Sequence, residues 1–359
     1  MGVVMPALRK TLLCCDHTES SIHWMIDVAF PESYNECNLI TCLEGKRQEI
    51  RMHLKTALIA TLLTIGLGAS TAQASPQVVV STKPLHSLVS GVMAGVAQPK
   101  LLIRGHASPH AYALRPSGAR VLQAAEVVFW IGEEVESFLS KPLRSLARKA
   151  TVVALGDTEG IHWLGLRKAL VWGSHEHEEE EAHSGHGHEG GDPHLWLDPQ
   201  NAKLMVQTIV ATLQAVDPEQ AQAYQDNGQG LRKRLDVLDA KLREGLSSLS
   251  QESYLVFHDA YQYFEKRYNL HPIGAVTLSP EHSPGMKRLQ TLREQVQGSG
   301  VRCVFTEPQF PPKLLWVVTN GLEVKHGVLD PVGAELSAGP DLYFTLLNNL
   351  STSLRECLL

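Results

Sequence analysis

Twice along this 359-residue chain, short β-branched runs alternate with apolar stretches at helical spacing, and a single leucine-stepped segment separates the two series. In the first series the runs at 77–81 (QVVVS), 100–103, 126–131 (EVVFWI) and 151–155 read as strands. Helices are expected between them at 84–96, 116–125 and 135–147. In the second series, strands are expected at 254–258 (YLVFH), 273–276, 303–306 and 324–329, with helices at 260–268, 284–296, 311–321 and 341–357. Strand–helix alternation implies parallel sheets joined by right-handed crossovers. The separating segment, 217–250, carries Leu231, Leu235, Leu238, Leu242, Leu246 and Leu249 at steps of three and four, although Gly228 and Gly230 weaken its middle. A helix of that length runs roughly 45 Å. The expected fold class is therefore α/β: two β-α lobes, each with a roughly four-stranded parallel sheet, bridged by one long rigid α-helix. The lobes are placed at 75–216 and 251–359.

The chain before residue 75 has a different character. Residues 52–74 (MHLKTALIATLLTIGLGASTAQA) have the layout of a Sec signal peptide: a short basic start, an apolar run, and Ala72-Gln73-Ala74 as a cleavage pattern. The apolar run is too short for a comfortable membrane span. Residues 1–51 are then read as a mis-annotated N-terminal extension, with Met52 as the initiator. The product is expected in the periplasm, and no cysteine follows the cleavage pattern to carry a lipid. Four of the six cysteines lie in residues 1–51, which leaves Cys303 and Cys357. In an oxidising compartment that pair reads as a disulfide, two separate buried thiols being the alternative.

Between the lobe's last expected strand and position 193 the alternation breaks. The segment 173–192, GSHEHEEEEAHSGHGHEGGD, has no apolar side chain larger than alanine and is expected to be a loop. It holds His175, His177, His183, His186 and His188 among acidic residues, which reads as a low-affinity zinc collector or sensor, a solvated linker being the alternative.

In open α/β sheets, ligands gather at the carboxyl ends of strands. Four side chains able to bind a metal fall there: His110 in GHASPHAYALRPS, His194 in DPHLWLDP, His258 in VFHDAYQYFE and Asp330 in VLDPVG. Three neutral imidazoles and one oxygen donor make a tetrahedral zinc set, and imidazole suits zinc better than manganese. Taken singly, each histidine also has an ordinary reading as a hydrogen-bonded side chain. His86 in KPLHSLV and Glu307 in TEP are expected near the same rim, with possible supporting roles behind the ligands. The net charge of −6 excludes nucleic acid as the main partner.

The segments SPHAYALRPS, DPHLWLDP, VFHDAYQYFE and CVFTEPQF together resemble the periplasmic solute-binding proteins of zinc ABC transporters, within the cluster A metal-binding family. The resemblance spans 75–359. It implies two α/β lobes joined by a rigid helix, with small lobe or loop movements in place of wide hinge closure. It implies metal binding by His110, His194 and His258, Zn²⁺ as the transported ligand, and a C-terminal disulfide like Cys303–Cys357. The fourth ligand stays open between Asp330 and a water, because Pro109 stands where some zinc members have a carboxylate. The histidine at 258, where manganese relatives tend to have a carboxylate, points to zinc. Implied partners are a membrane permease with its ATPase, and a periplasmic zinc chaperone, around a monomeric binding protein that is not an enzyme. The rival functions are Mn²⁺ or Fe²⁺ binding on the same fold, an adhesin, or a zinc-dependent hydrolase with Glu307 or Asp259 as general base.

Overall fold

In the computed structural model of the chain, residues 75–167, 172, 191–278 and 284–359 are described. Two parallel sheets carry the architecture. The first joins β1 (Val78–Val80), β2 (Lys100–Leu101), β3 (Val127–Trp130) and β4 (Thr151–Ala154) in the order β2-β1-β3-β4. The second joins β5 (Tyr254–His258), β6 (Gly274–Thr277), β7 (Cys303–Thr306) and β8 (Lys325–Val328) in the order β6-β5-β7-β8. The two orders are the same: in each sheet the second strand lies on one side of the first and the third on the other, which leaves a crevice at the carboxyl ends of the two central strands.

The central strands are apolar on both faces because both faces are covered. Successive side chains alternate sides. Val78 and Val80 enter the largest core cluster, and Val79 enters a smaller cluster with Leu122, Leu139 and Leu143. The second sheet repeats this, with Tyr254 and Val256 in the large cluster and Leu255 in an outer one with Leu289, Leu292 and Leu315. The helices under those outer clusters are α2 (Pro116–Gln123) and α3 (Ser137–Leu146) in the first half, and α7 (Met286–Gly298) and α8 (Lys313–Thr319) in the second.

The large cluster is shared by both halves. It is built on α1 (Lys83–Val92), α4 (Pro199–Val216), α5 (Ala221–Leu246), α6 (Gln262–Tyr268) and α9 (Leu342–Leu358). The long α5 is extended by 3₁₀ turns at Pro218–Gln220 and Ser247–Leu249, and its leucines at 231, 235, 238, 242 and 246 are all buried. It packs against α1 and α4 on one side of the chain's midpoint and against α6 and α9 on the other. Gly228, read from the sequence as a weakness, has a packing role. A Cβ there would lie 2.4 Å from Val210 Cγ2, so its absence lets α4 approach closely.

Cys303 at the start of β7 is bonded to Cys357 near the end of α9, with the Cα atoms 5.9 Å apart. This ties the last helix to a central strand. Residues 1–74 and the five histidines of the acidic loop lie outside the described residues. Among the described residues, no helix is long and apolar enough to cross a membrane.

Candidate metal centre

His258 is the last residue of β5, so the strand itself aims it into the crevice between β5 and β7. His194 precedes the 3₁₀ turn Leu195–Leu197, where the chain turns into α4. His110 sits in a 3₁₀ turn, Pro109–Ala111, within the loop that follows β2. The three rings meet. His110 Nε2 lies 3.2 Å from His194 Nε2, and His258 Nε2 lies 3.4 Å from the same atom. Zinc–nitrogen bonds of about 2.0–2.1 Å at tetrahedral angles place neighbouring donors about 3.3–3.4 Å apart, so each of these two separations fits a pair of neighbouring donors in one coordination shell. Among the described residues, this is the one group of three or more His, Cys, Asp or Glu side chains whose donor atoms all lie within 4.8 Å of one another.

Two of the rings are held from behind. His194 Nδ1 donates to Asp192 Oδ1 at 2.8 Å, and its backbone N–H donates to the same oxygen at 3.0 Å. His258 Nδ1 donates to Glu307 Oε1 at 2.6 Å. Each bond puts the ring proton on Nδ1 and leaves the Nε2 lone pair facing the centre. His194 and His258 are only 5% and 3% exposed, whereas His110 is partly exposed.

Charge follows the same division. Burial, reinforced by the neighbouring His194 and His258, holds His110 well below the usual histidine range and keeps it neutral. Burial also opposes charge on His258, but the adjacent Glu307 carboxylate outweighs it, and the His258 pKa is raised. The cavity beside these rings has a volume of about 10 Å³, room for one water or a small ion, and its wall also includes Trp196, Gln309, Phe310, Pro331 and Val332.

The comparisons with known proteins agree with one another. Residues 78–357 match the family described as "Zinc-uptake complex component A periplasmic". The chain belongs to that family. The high-affinity zinc uptake system protein ZnuA of Brucella abortus is 42% identical over 330 residues, covering 85% of this chain and 99% of the relative. The ZnuA protein of Yersinia pestis is 34% identical over 319 residues, covering 85% and 98%. Among solved structures, the periplasmic zinc binding protein TroA from Treponema pallidum superposes with a TM-score of 0.66 at 21% identity, covering 79% of this chain and 99% of that one. At that identity the likeness is one of fold.

Two residues expected at the same rim have side chains engaged outside the three-histidine group. Asp330 is not grouped with the three histidines. Its Oδ1 accepts from Val332 N–H, Gly333 N–H and Gln309 Nε2, and its Oδ2 accepts from Ala334 N–H. Hydrogen bonds to a charged group contribute about 1.5–3 kcal/mol each, so the carboxylate is strongly held in its own turn. Position in sequence placed Asp330 at the right strand end but did not set the direction of its side chain. His86 is also turned away. Its Nε2 donates to the Pro99 carbonyl at 3.0 Å, and Nδ1 lies 3.3 Å from Ser90 Oγ, so this buried ring serves the packing of α1. Glu307, by contrast, lies directly behind His258.

Three supporting residues escaped the sequence reading. Asp192 was counted with the loop, although its position two residues before His194 was a usable signal. Arg167 bridges Asp259 at 2.9 Å and Glu265 at 2.8 Å, and Trp172 covers its guanidinium at 3.9 Å. Burial pushes the Asp259 carboxyl up to about 7 against the pull of Arg167. Lys83, from the first half, reaches the turn that contains Asp330. Nothing local in the sequence marks such a contact.

Proposed function

We propose that this chain captures Zn²⁺ in the periplasm, after export by the Sec pathway, and delivers it to the permease of an ABC transporter powered by a cytoplasmic ATPase. His110, His194 and His258 are the ligands, with a water completing the set. The observation that carries this reading is the convergence of three imidazoles whose donor nitrogens lie within 4.8 Å of one another, with His194 Nε2 at 3.2 and 3.4 Å from the other two and two of the rings backed by buried carboxylates. The names of the Brucella and Yersinia relatives support zinc uptake as the process.

Zinc fits better than manganese because the group contains nitrogen donors and no carboxylate. Binding fits better than hydrolysis because both candidate bases are engaged: Glu307 with His258, and Asp259 with Arg167. The test is zinc titration of the metal-free protein against a chelator of known affinity, with elemental analysis. One tightly held zinc per chain is expected, lost in His258→Ala. Absence of a tight equivalent in the unmutated protein overturns the reading.

A further inference from the structure

The turn at residues 330–336 forms one wall of the metal cavity through Pro331 and Val332. Its backbone is gripped from two sides. From within, the Asp330 carboxylate accepts the N–H groups of Val332, Gly333 and Ala334 at 3.1, 3.0 and 2.5 Å, and the Gln309 side chain adds a bond at 2.6 Å. From the first half of the chain, Lys83 Nζ donates to the carbonyls of Gly333, Ala334 and Leu336 at 3.0, 2.5 and 3.0 Å. Gly333 and Ala334 therefore give their N–H groups to a carboxylate and their C=O groups to an ammonium. Gly333 stands at φ +67°, a conformation glycine adopts without strain.

An ammonium has three donors and no acceptor, and here all three meet one turn. Lys83 is buried, and burying such a charge is unfavourable unless it is hydrogen-bonded, which the three carbonyls of the turn provide. The three-histidine centre makes no use of it directly. The Asp330 carboxylate, in the same turn, favours the charged form of Lys83 against the opposing effect of burial.

We propose that Lys83 is a positioning residue for metal selectivity: by holding the 333–336 turn, it keeps the Asp330 carboxylate folded inward and out of the metal's coordination shell. The cation then meets three imidazoles and no carboxylate, a donor set that disfavours oxygen-seeking Mn²⁺. Release of the turn frees Asp330, whose neighbours Pro331 and Val332 already line the cavity, to add an oxygen donor.

This inference rests on the three-histidine zinc reading, and the test separates the two. The metal-free full chain, Lys83→Met, Asp330→Asn and the double variant are each loaded with one equivalent of Co²⁺, whose visible bands report the donor set. Zn²⁺ and Mn²⁺ affinities are measured beside them. In Lys83→Met the bands shift and the zinc-to-manganese affinity ratio falls about tenfold or more. In the double variant both return towards the unmutated values. Asp330→Asn alone leaves the Co²⁺ bands unchanged. A folded Lys83→Met protein with unchanged bands and ratio overturns the proposal. Altered bands in Asp330→Asn overturn it too, because the carboxylate would then already be a ligand, and this arm stands even if Lys83→Met fails to fold. Failure of the unmutated chain to hold one tight Zn²⁺ or Co²⁺ overturns the zinc reading instead.

Discussion

The floor of the metal centre and its rim are built differently. On the floor, His194 and His258 are buried, sit where a 3₁₀ turn and a strand end fix the backbone, and have their Nδ1 protons bound by Asp192 and Glu307. On the rim, His110 lies in a loop turn and is partly exposed, and its short contact is with His194 through Nε2. A side chain whose ring is already held by a hydrogen bond loses less rotamer freedom on binding a metal than one without such a hold. The contrast teaches that three chemically identical side chains in one cluster need not be held equally.

The largest expected effect breaks the floor. His258→Ala or His194→Ala should weaken zinc binding more than about a hundredfold, given total structural-zinc binding energies of about 10–16 kcal/mol shared among the donors. His110→Ala should lose less than either, and the loss should fall mainly on the dissociation rate, as seen by stopped-flow transfer to a chelator. An equal loss at all three positions would erase the distinction.

Next come the carboxylates behind the rings. Glu307→Gln and Asp192→Asn should each weaken zinc about 10–100-fold, the usual cost of removing such support.

The pH profile sharpens the same contrast. Zinc must displace any proton on Nε2, so affinity falls as pH drops. The raised pKa of His258 means this begins above the usual histidine range, while the lowered pKa of His110 delays its own contribution to more acidic solution. In Glu307→Gln the upper limb should move to lower pH, and an unmoved limb would show that Glu307 does not set it. The smallest effect on zinc belongs to Cys303→Ser with Cys357→Ser. Loss of a bridge spanning 54 residues should lower stability by about 2–4 kcal/mol in denaturant unfolding and leave zinc affinity unchanged.

Much of the framework was legible in the sequence. The two β-α series and the leucine steps of α5 follow from local periodicity, and that periodicity survives folding because each element buries the face its pattern marks. The three histidines were legible by place, since strand and helix ends are where such sheets present side chains. The direction of the Asp330 and His86 side chains was not legible, because a strand-end position says nothing about rotamer. Asp330 found four donors in and beside its own turn, and His86 found the Pro99 carbonyl.

The sequence by itself determined the α/β class, the strand order's raw material, the bridging helix and the list of side chains able to hold zinc. These depend on spacing along the chain. Tertiary structure alone decided which of those side chains meet, which nitrogen of each ring faces inward, and that Lys83 grips a turn some 250 residues away. Such contacts join residues far apart in sequence through directional bonds only a few ångströms long, so neither their partners nor their orientation is written in local pattern.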